Sequence, residues 1–185
     1  MLSSRSRDFQ ERSAWRYGLL VAMAVSLLGS ASWIRPRLLY NPSESMPKGF
    51  YIIFPADEFA KKDNVVLPVP EAFRKMLADR RYLPPDIPLL KQIIGVEGDQ
   101  VCVKNRRVFL DGTLIATQLR MDGAGRPLPV WTGCQRLFPE EYFLLGPSSD
   151  LSFDSRYFGP VKKRDISGRA VLVWPAQQSE VPHDG

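Results

Sequence analysis

The spacing of apolar and polar positions changes along the chain. From Tyr17 to Ile34 eighteen consecutive residues carry no charge, close to the minimum needed to cross the hydrocarbon core of a bilayer as a helix. Beyond this run the apolar stretches are short. Phe50–Phe54 and Asn64–Leu67 are rich in aromatic and β-branched residues and read as buried strands. Between Glu71 and Arg81 the period lengthens: Phe73, Met76, Leu77 and Arg80 recur at helical spacing, which predicts a short amphipathic helix ended before the loop Leu83-Pro84-Pro85-Asp86-Ile87-Pro88. Leu89–Val96 returns to strand character. Gln100–Lys104 and Arg107–Leu110 pair as a hairpin across Asn105-Arg106, and Asp111-Gly112 marks the next turn. Glu141–Gly146 and Arg169–Trp174 complete a mainly β body with one short helix and no internal repeat.

These elements divide the chain into a polar N-terminal segment (1–16), the apolar segment (17–34), a β body (35–175) and a polar tail (176–185). Trp15, Tyr17 and Trp33 flank the apolar segment where interfacial aromatics gather; Arg5, Arg7, Arg12 and Arg16 precede it, against Arg35 and Arg37 after it. That asymmetry keeps the N-terminus cytoplasmic and sends the body across the membrane. A retained anchor is expected, because the run is long and Arg35-Pro36-Arg37 follows at once. Gly29-Ser30-Ala31-Ser32 leaves a cleaved secretory signal as the alternative.

Composition narrows the chemistry. A chain of 185 residues with 44% hydrophobic content supports one modest core. The net charge of +5 is spread without an aromatic-interleaved basic block, so nucleic acid is not expected as a partner; attraction to anionic headgroups accounts for the same charge. The only histidine is His183, in the tail, so the body holds no Ser-His-Asp site, Cys-His site or histidine-rich metal centre. No metal or organic cofactor is implied. Two cysteines, Cys102 and Cys134, permit one bridge in an oxidising compartment or two separate thiols.

Acyl transfer without histidine requires a carboxylate pair or a lysine made neutral by burial. Alternation places Leu89, Lys91 and Ile93 on one face of their strand, so Lys91 has apolar neighbours, whereas most other lysines lie in charged stretches. It is either that base or an edge lysine that snorkels to water.

Three ordered blocks join Lys91 to a nucleophile: S45-M46-P47-K48-G49-F50-Y51, L90-K91-Q92-I93-I94-G95-V96-E97-G98-D99, and G146-P147-S148-S149-D150-L151-S152-F153-D154-S155-R156-Y157-F158-G159. Behind an N-terminal apolar segment they resemble the type I signal peptidases of the serine-lysine class, and the short S-M-P-x-G-x-Y form resembles the TraF peptidases of plasmid conjugation. The resemblance implies a signal-peptidase-like β-sheet or barrel body behind a single transmembrane helix. It makes Ser45 the nucleophile and Lys91 its general base. Ser43 matches a hydroxyl that supplements the Ser45 N–H in an oxyanion hole, Ser152 one that orients the lysine, and Asp154 and Arg156 positions that support the site. Gly146-Pro147-Ser148-Ser149 departs from the Gly-Asp-Asn-Arg of general leader peptidases, and only Leu114–Phe138 is available for the extra domain that many of them carry.

The expected protein is a serine endopeptidase of the bacterial inner membrane with a periplasmic catalytic body. Its expected substrate is a membrane-associated pilin precursor, matured for conjugative transfer by hydrolysis or by cyclisation. Ser45 lies eleven residues beyond Ile34, a linker of at most about 40 Å, which keeps the site near the bilayer. Two other readings stand beside it: a general type I signal peptidase acting on many exported precursors, and a non-catalytic membrane-anchored assembly protein in which Ser45 only caps a turn.

Overall fold

The computed structural model describes residues 37–84 and 86–176. The expected anchor, 17–34, and the tail from 177 onward lie outside the described residues; among the described residues no helix is long and apolar enough to cross a membrane. The strands are β1 (Arg37–Asn41), β2 (Gly49–Phe54), β3 (Asn64–Leu67), β4 (Leu89–Gly95), β5 (Gln100–Lys104), β6 (Arg107–Leu110), β7 (Thr113–Thr117), β8 (Gly133–Arg136), β9 (Glu141–Leu145), β10 (Val161–Lys162) and β11 (Gly168–Pro175). Helix α1 spans Glu71–Asp79 and the single turn α2 spans Ser155–Phe158. A mainly β fold with one short helix is what the periodicity predicts.

Two antiparallel sheets form. The larger has strand order β1-β2-β11-β3-β4-β9-β10, and the smaller has β7-β6-β5-β8. Strand β4 lies inside the larger sheet, with β3 on one side (Val65↔Lys91, Leu67↔Leu89) and β9 on the other (Ile93↔Leu144). Because cross-strand partners share a face, Val65, Leu67, Leu89, Ile93 and Leu144 make one apolar layer, to which α1 adds Leu77. The opposite face carries Tyr51, Val66, Leu90 and Ala170, closed by Met46 from the β1–β2 loop. Burial on both faces explains why β4 reads as a nearly continuous apolar run.

The elements without an anticipated boundary are the weakly amphipathic ones. Strands β7 and β8 are largely exposed and offer no alternation. In α1 the last turn closes at Asp79, two residues short of the predicted end, and Arg81 adopts φ 57°, which the helix cannot continue. Asn105 and Arg106 both have positive φ (50° and 64°), the conformation of a two-residue hairpin turn. Cys102 of β5 faces Cys134 of β8 directly, and the two sulfurs are bonded.

Candidate active site

Strand β1 ends at Asn41 and β2 begins at Gly49, which are paired across the hairpin, so Pro42–Lys48 form a loop pinned at its base. Gly49 is required there: its φ is +146°, and a Cβ would lie 2.2 Å from the Trp174 carbonyl oxygen on β11. Inside the loop Met46 is buried and anchors it to the core, while Ser45 is half-buried and Ser43 exposed. Lys91 reaches this loop from β4, and its Nζ lies 3.1 Å from Ser45 Oγ. Ser43 Oγ lies 3.1 Å from the same oxygen on the other side. The backbone N–H of Ser45 donates to no acceptor among the described residues.

Lys91 is only 4% exposed, which excludes the snorkelling alternative. Its walls are Val65 across the sheet and Leu89 and Ile93 along its own strand. Desolvation among them pushes the ammonium down from 10.5 to about 8; Asp154 opposes this and Arg156 reinforces it. Asp154 and Arg156 are both buried and clasp each other, Nε to Oδ1 at 2.8 Å and Nη2 to Oδ2 at 3.2 Å. A closed ion pair presents little net charge to Lys91, so burial decides the direction.

The same pair organises the segment beneath Ser45. Asp154 caps α2 by accepting from the Arg156 N–H at 3.2 Å, and its Oδ2 accepts from the Gly146 N–H at 2.9 Å. Arg156 Nη1 donates to the carbonyls of Asp150 (3.1 Å) and Thr117 (3.3 Å). Gly146 is the point of closest approach: a Cβ on it would sit 2.8 Å from Ser45 Cβ and 2.3 Å from Ser152 Oγ. Ser148 N–H donates to the Ser45 carbonyl at 3.3 Å, which ties this turn to the β1–β2 loop. Ser152 is buried beside Gly146, but its hydroxyl has no hydrogen-bond partner among the described residues. The expected contact from Ser152 to Lys91 is therefore not formed.

Two residues carry weight in the site without having been singled out in the sequence. Asn41, 6% exposed, closes the β1–β2 loop from inside through its carboxamide. Its signal is the Asn-Pro-Ser sequence, since an asparagine oxygen accepting from the N–H two residues on is an Asx-turn. Gln118, also buried, donates from Nε2 to the carbonyls of Trp131 (2.7 Å) and Arg156, and so holds the 118–131 segment against α2. A lone buried glutamine leaves no periodic trace. Among the described residues no cluster of three or more His, Cys, Asp or Glu could hold a metal ion.

A hydroxyl flanked by a second hydroxyl and a desolvated amine, with an unused N–H on its own backbone, has the parts needed for acyl transfer. Comparison with known proteins points the same way. Residues 12–175 match the family model described as signal peptidase, peptidase S26. A plasmid transfer protein TraF of Escherichia coli is 28% identical over 170 residues, covering 85% of this chain and 94% of the relative. A probable conjugal transfer protein TraF of Sinorhizobium fredii is 33% identical over 168 residues, covering 83% and 86%. Another Escherichia coli plasmid transfer protein TraF is 35% identical over 91 residues, 46% of this chain and about half (51%) of that relative's length. The chain belongs to the signal peptidase family, peptidase S26, and is a type I signal peptidase-like serine peptidase.

Proposed function

We propose that the protein is a membrane-anchored serine endopeptidase that matures pilin precursors for conjugative transfer, with Ser45 as nucleophile and Lys91 as general base. The observation that carries this reading is the 3.1 Å approach of a buried Lys91 Nζ to Ser45 Oγ. Neutral Lys91 takes the Ser45 hydroxyl proton as Ser45 Oγ bonds to the scissile carbonyl carbon. The oxyanion is met by the Ser45 N–H and the Ser43 hydroxyl. The scissile C–N bond then breaks, the departing nitrogen receives the proton from Lys91, and an acyl-enzyme remains. Water resolves it to a linear product; the precursor's own N-terminal amine resolves it to a cyclic one.

Two further observations support the setting. The relatives named for plasmid and conjugal transfer match most of this chain's length. The outer face of β1, β2 and β11 exposes Leu38, Tyr40, Phe50, Val171 and Trp174, an apolar and aromatic surface suited to a bilayer interface.

Intact-mass measurement of a co-expressed pilin precursor, with wild-type protein and Ser45→Ala in parallel, tests the proposal. A Ser45-dependent product is expected, and a mass one water below the linear fragment identifies cyclisation. A precursor left whole by the wild-type protein, with a panel of exported precursors cleaved, would replace this reading with that of a general signal peptidase. No cleavage of any of them would leave the assembly-protein reading.

A further inference from the structure

Asn41 makes most of the side-chain contacts inside the β1–β2 loop, and the buried Tyr51 hydroxyl adds one, to the Pro47 carbonyl at 2.7 Å. Asn41 Nδ2 faces the carbonyl oxygens of Ser43 (3.2 Å), Met46 (3.1 Å) and Pro47 (3.1 Å), while Oδ1 accepts from the Ser43 N–H (3.1 Å) and the Ser43 hydroxyl (2.7 Å). These partners fix which way the carboxamide points. A flipped amide would set its oxygen against three carbonyls and its N–H groups against a donor, so only one orientation satisfies the loop.

That orientation determines the hydroxyl protons. Asn41 Oδ1 has no proton to give, so at 2.7 Å Ser43 is the donor and its only hydroxyl proton points at Asn41. Toward Ser45, at 3.1 Å, Ser43 can then only accept. The Ser45 proton accordingly has two acceptors, Ser43 Oγ while Lys91 is an ammonium and Lys91 Nζ once it is neutral. While Lys91 is an ammonium the chain of donors runs one way, from Lys91 through Ser45 and Ser43 to Asn41; once it is neutral, only the Lys91–Ser45 link reverses. When an oxyanion forms, the Ser43 proton must turn from Asn41 toward it, and Asn41 sets the starting point of that turn.

We propose that Asn41 is a positioning residue: its carboxamide sets the loop that presents Ser45 and the direction of the Ser43 and Ser45 hydroxyl protons. This rests on the peptidase reading for its kinetic consequence, though not for its geometric one. Only asparagine meets the demand, because aspartate would place a carboxylate against three carbonyl oxygens, and glutamine is one methylene too long.

The test uses the full chain in four forms: wild type, Asn41→Ala, Ser43→Ala and the double variant, with Asn41→Asp as an isosteric second probe should Asn41→Ala fail to fold. With pilin precursor as substrate, Asn41→Ala and Asn41→Asp are expected to lower kcat about 100-fold with KM within about twofold, the scale of a small misplacement of a reacting group. The double variant is expected to lose much less than the product of the two single losses, since Asn41 acts partly through Ser43. Independently of turnover, the Asn41 side-chain amide protons, followed by nitrogen-correlated NMR, are expected to exchange slowly with solvent and to shift on Ser43→Ala. Unchanged kcat in both Asn41 variants, multiplicative losses, or a freely exchanging Asn41 amide would each overturn the proposal. Slow exchange and a Ser43-dependent shift in a wild-type protein that cleaves nothing would support the geometric role of Asn41 while removing the peptidase reading.

Discussion

At Lys91 the consequence of burial can be given a sign. Its folded pKa, about 8, lies below the ordinary 10.5, so between those values the unfolded chain binds more protons than the folded one and stability rises with pH. Below pH 8 both states are protonated and the full cost of burying the ammonium is present. Lys91→Met is therefore expected to be more stable than wild type at pH 7, by a few kcal/mol on a scale of about 1.4 kcal/mol per pKa unit, and to lose the rise between pH 8 and 10.5; denaturant melts at several pH values check both. The same titration governs turnover: kcat/KM is expected to climb tenfold per pH unit and level off near pH 8, and a profile flat from 6 to 9 would remove Lys91 as the base. Gly146→Ala tests packing at the same scale, because the new Cβ would lie 2.8 Å from Ser45 Cβ and 2.3 Å from Ser152 Oγ. It is expected to cost about 1–3 kcal/mol of stability and most of the activity. At Lys91 β alternation gave the apolar neighbours but left a snorkelling edge lysine open, and the resemblance made it the base; Asn41 was not legible, since its partners are the backbone atoms and the Ser43 hydroxyl of a loop that no periodicity describes.

Among the elements, legibility followed burial. Strands β3, β5 and β6 coincide with their predicted bounds because each alternates or buries a β-branched run, while β7 and β8 expose most of their residues and leave no pattern. The pairing of Cys102 with Cys134 needed the β5–β8 register, which involves a strand the sequence does not announce. The bridge closes a sequence separation of 32 residues, for which the chain-entropy relation gives about 3–4 kcal/mol. Cys102→Ala/Cys134→Ala is expected to lose stability of that order, with the melting midpoint of wild type falling to match on reduction. Activity at a temperature where both forms stay folded is expected to hold, because the β5–β8 pair contributes no side chain to the Ser45–Lys91 contact. The single turn α2 is too short to be seen by spacing, yet Asp154 at its N-cap and Arg156 within it make the contacts that place Gly146 against Ser45.

For the whole molecule, the arrangement of exposed apolar residues carries a prediction that no single strand does. Cross-strand register brings Tyr40, Phe50 and Trp174 into one row across β1, β2 and β11, and Leu38, Ile52 and Val171 into the next. Trp174 is 69% exposed and Leu38 68%, against a fully buried Tyr51 on the opposite face of the same sheet. A sheet with aliphatic and aromatic side chains on its open face gains by meeting an interface where ring bodies leave water and polar edges keep it. The loop bearing Ser45 joins β1 to β2, so whatever meets this face also fixes the site's distance from it. In full-length protein carrying Trp15→Phe and Trp33→Phe, reconstituted into anionic vesicles, a lipid-borne quencher is expected to quench Trp174. Trp131, half-buried against Phe143 and away from that face, serves as the internal reference. Quenching that disappears with Trp174→Phe places the face in the headgroup region, and Trp174→Glu is then expected to slow cleavage of a membrane-embedded precursor several-fold while leaving a soluble peptide unaffected. Equal quenching with and without Trp174 would put the face in water and leave the linker after Ile34 as the sole restraint on the height of Ser45.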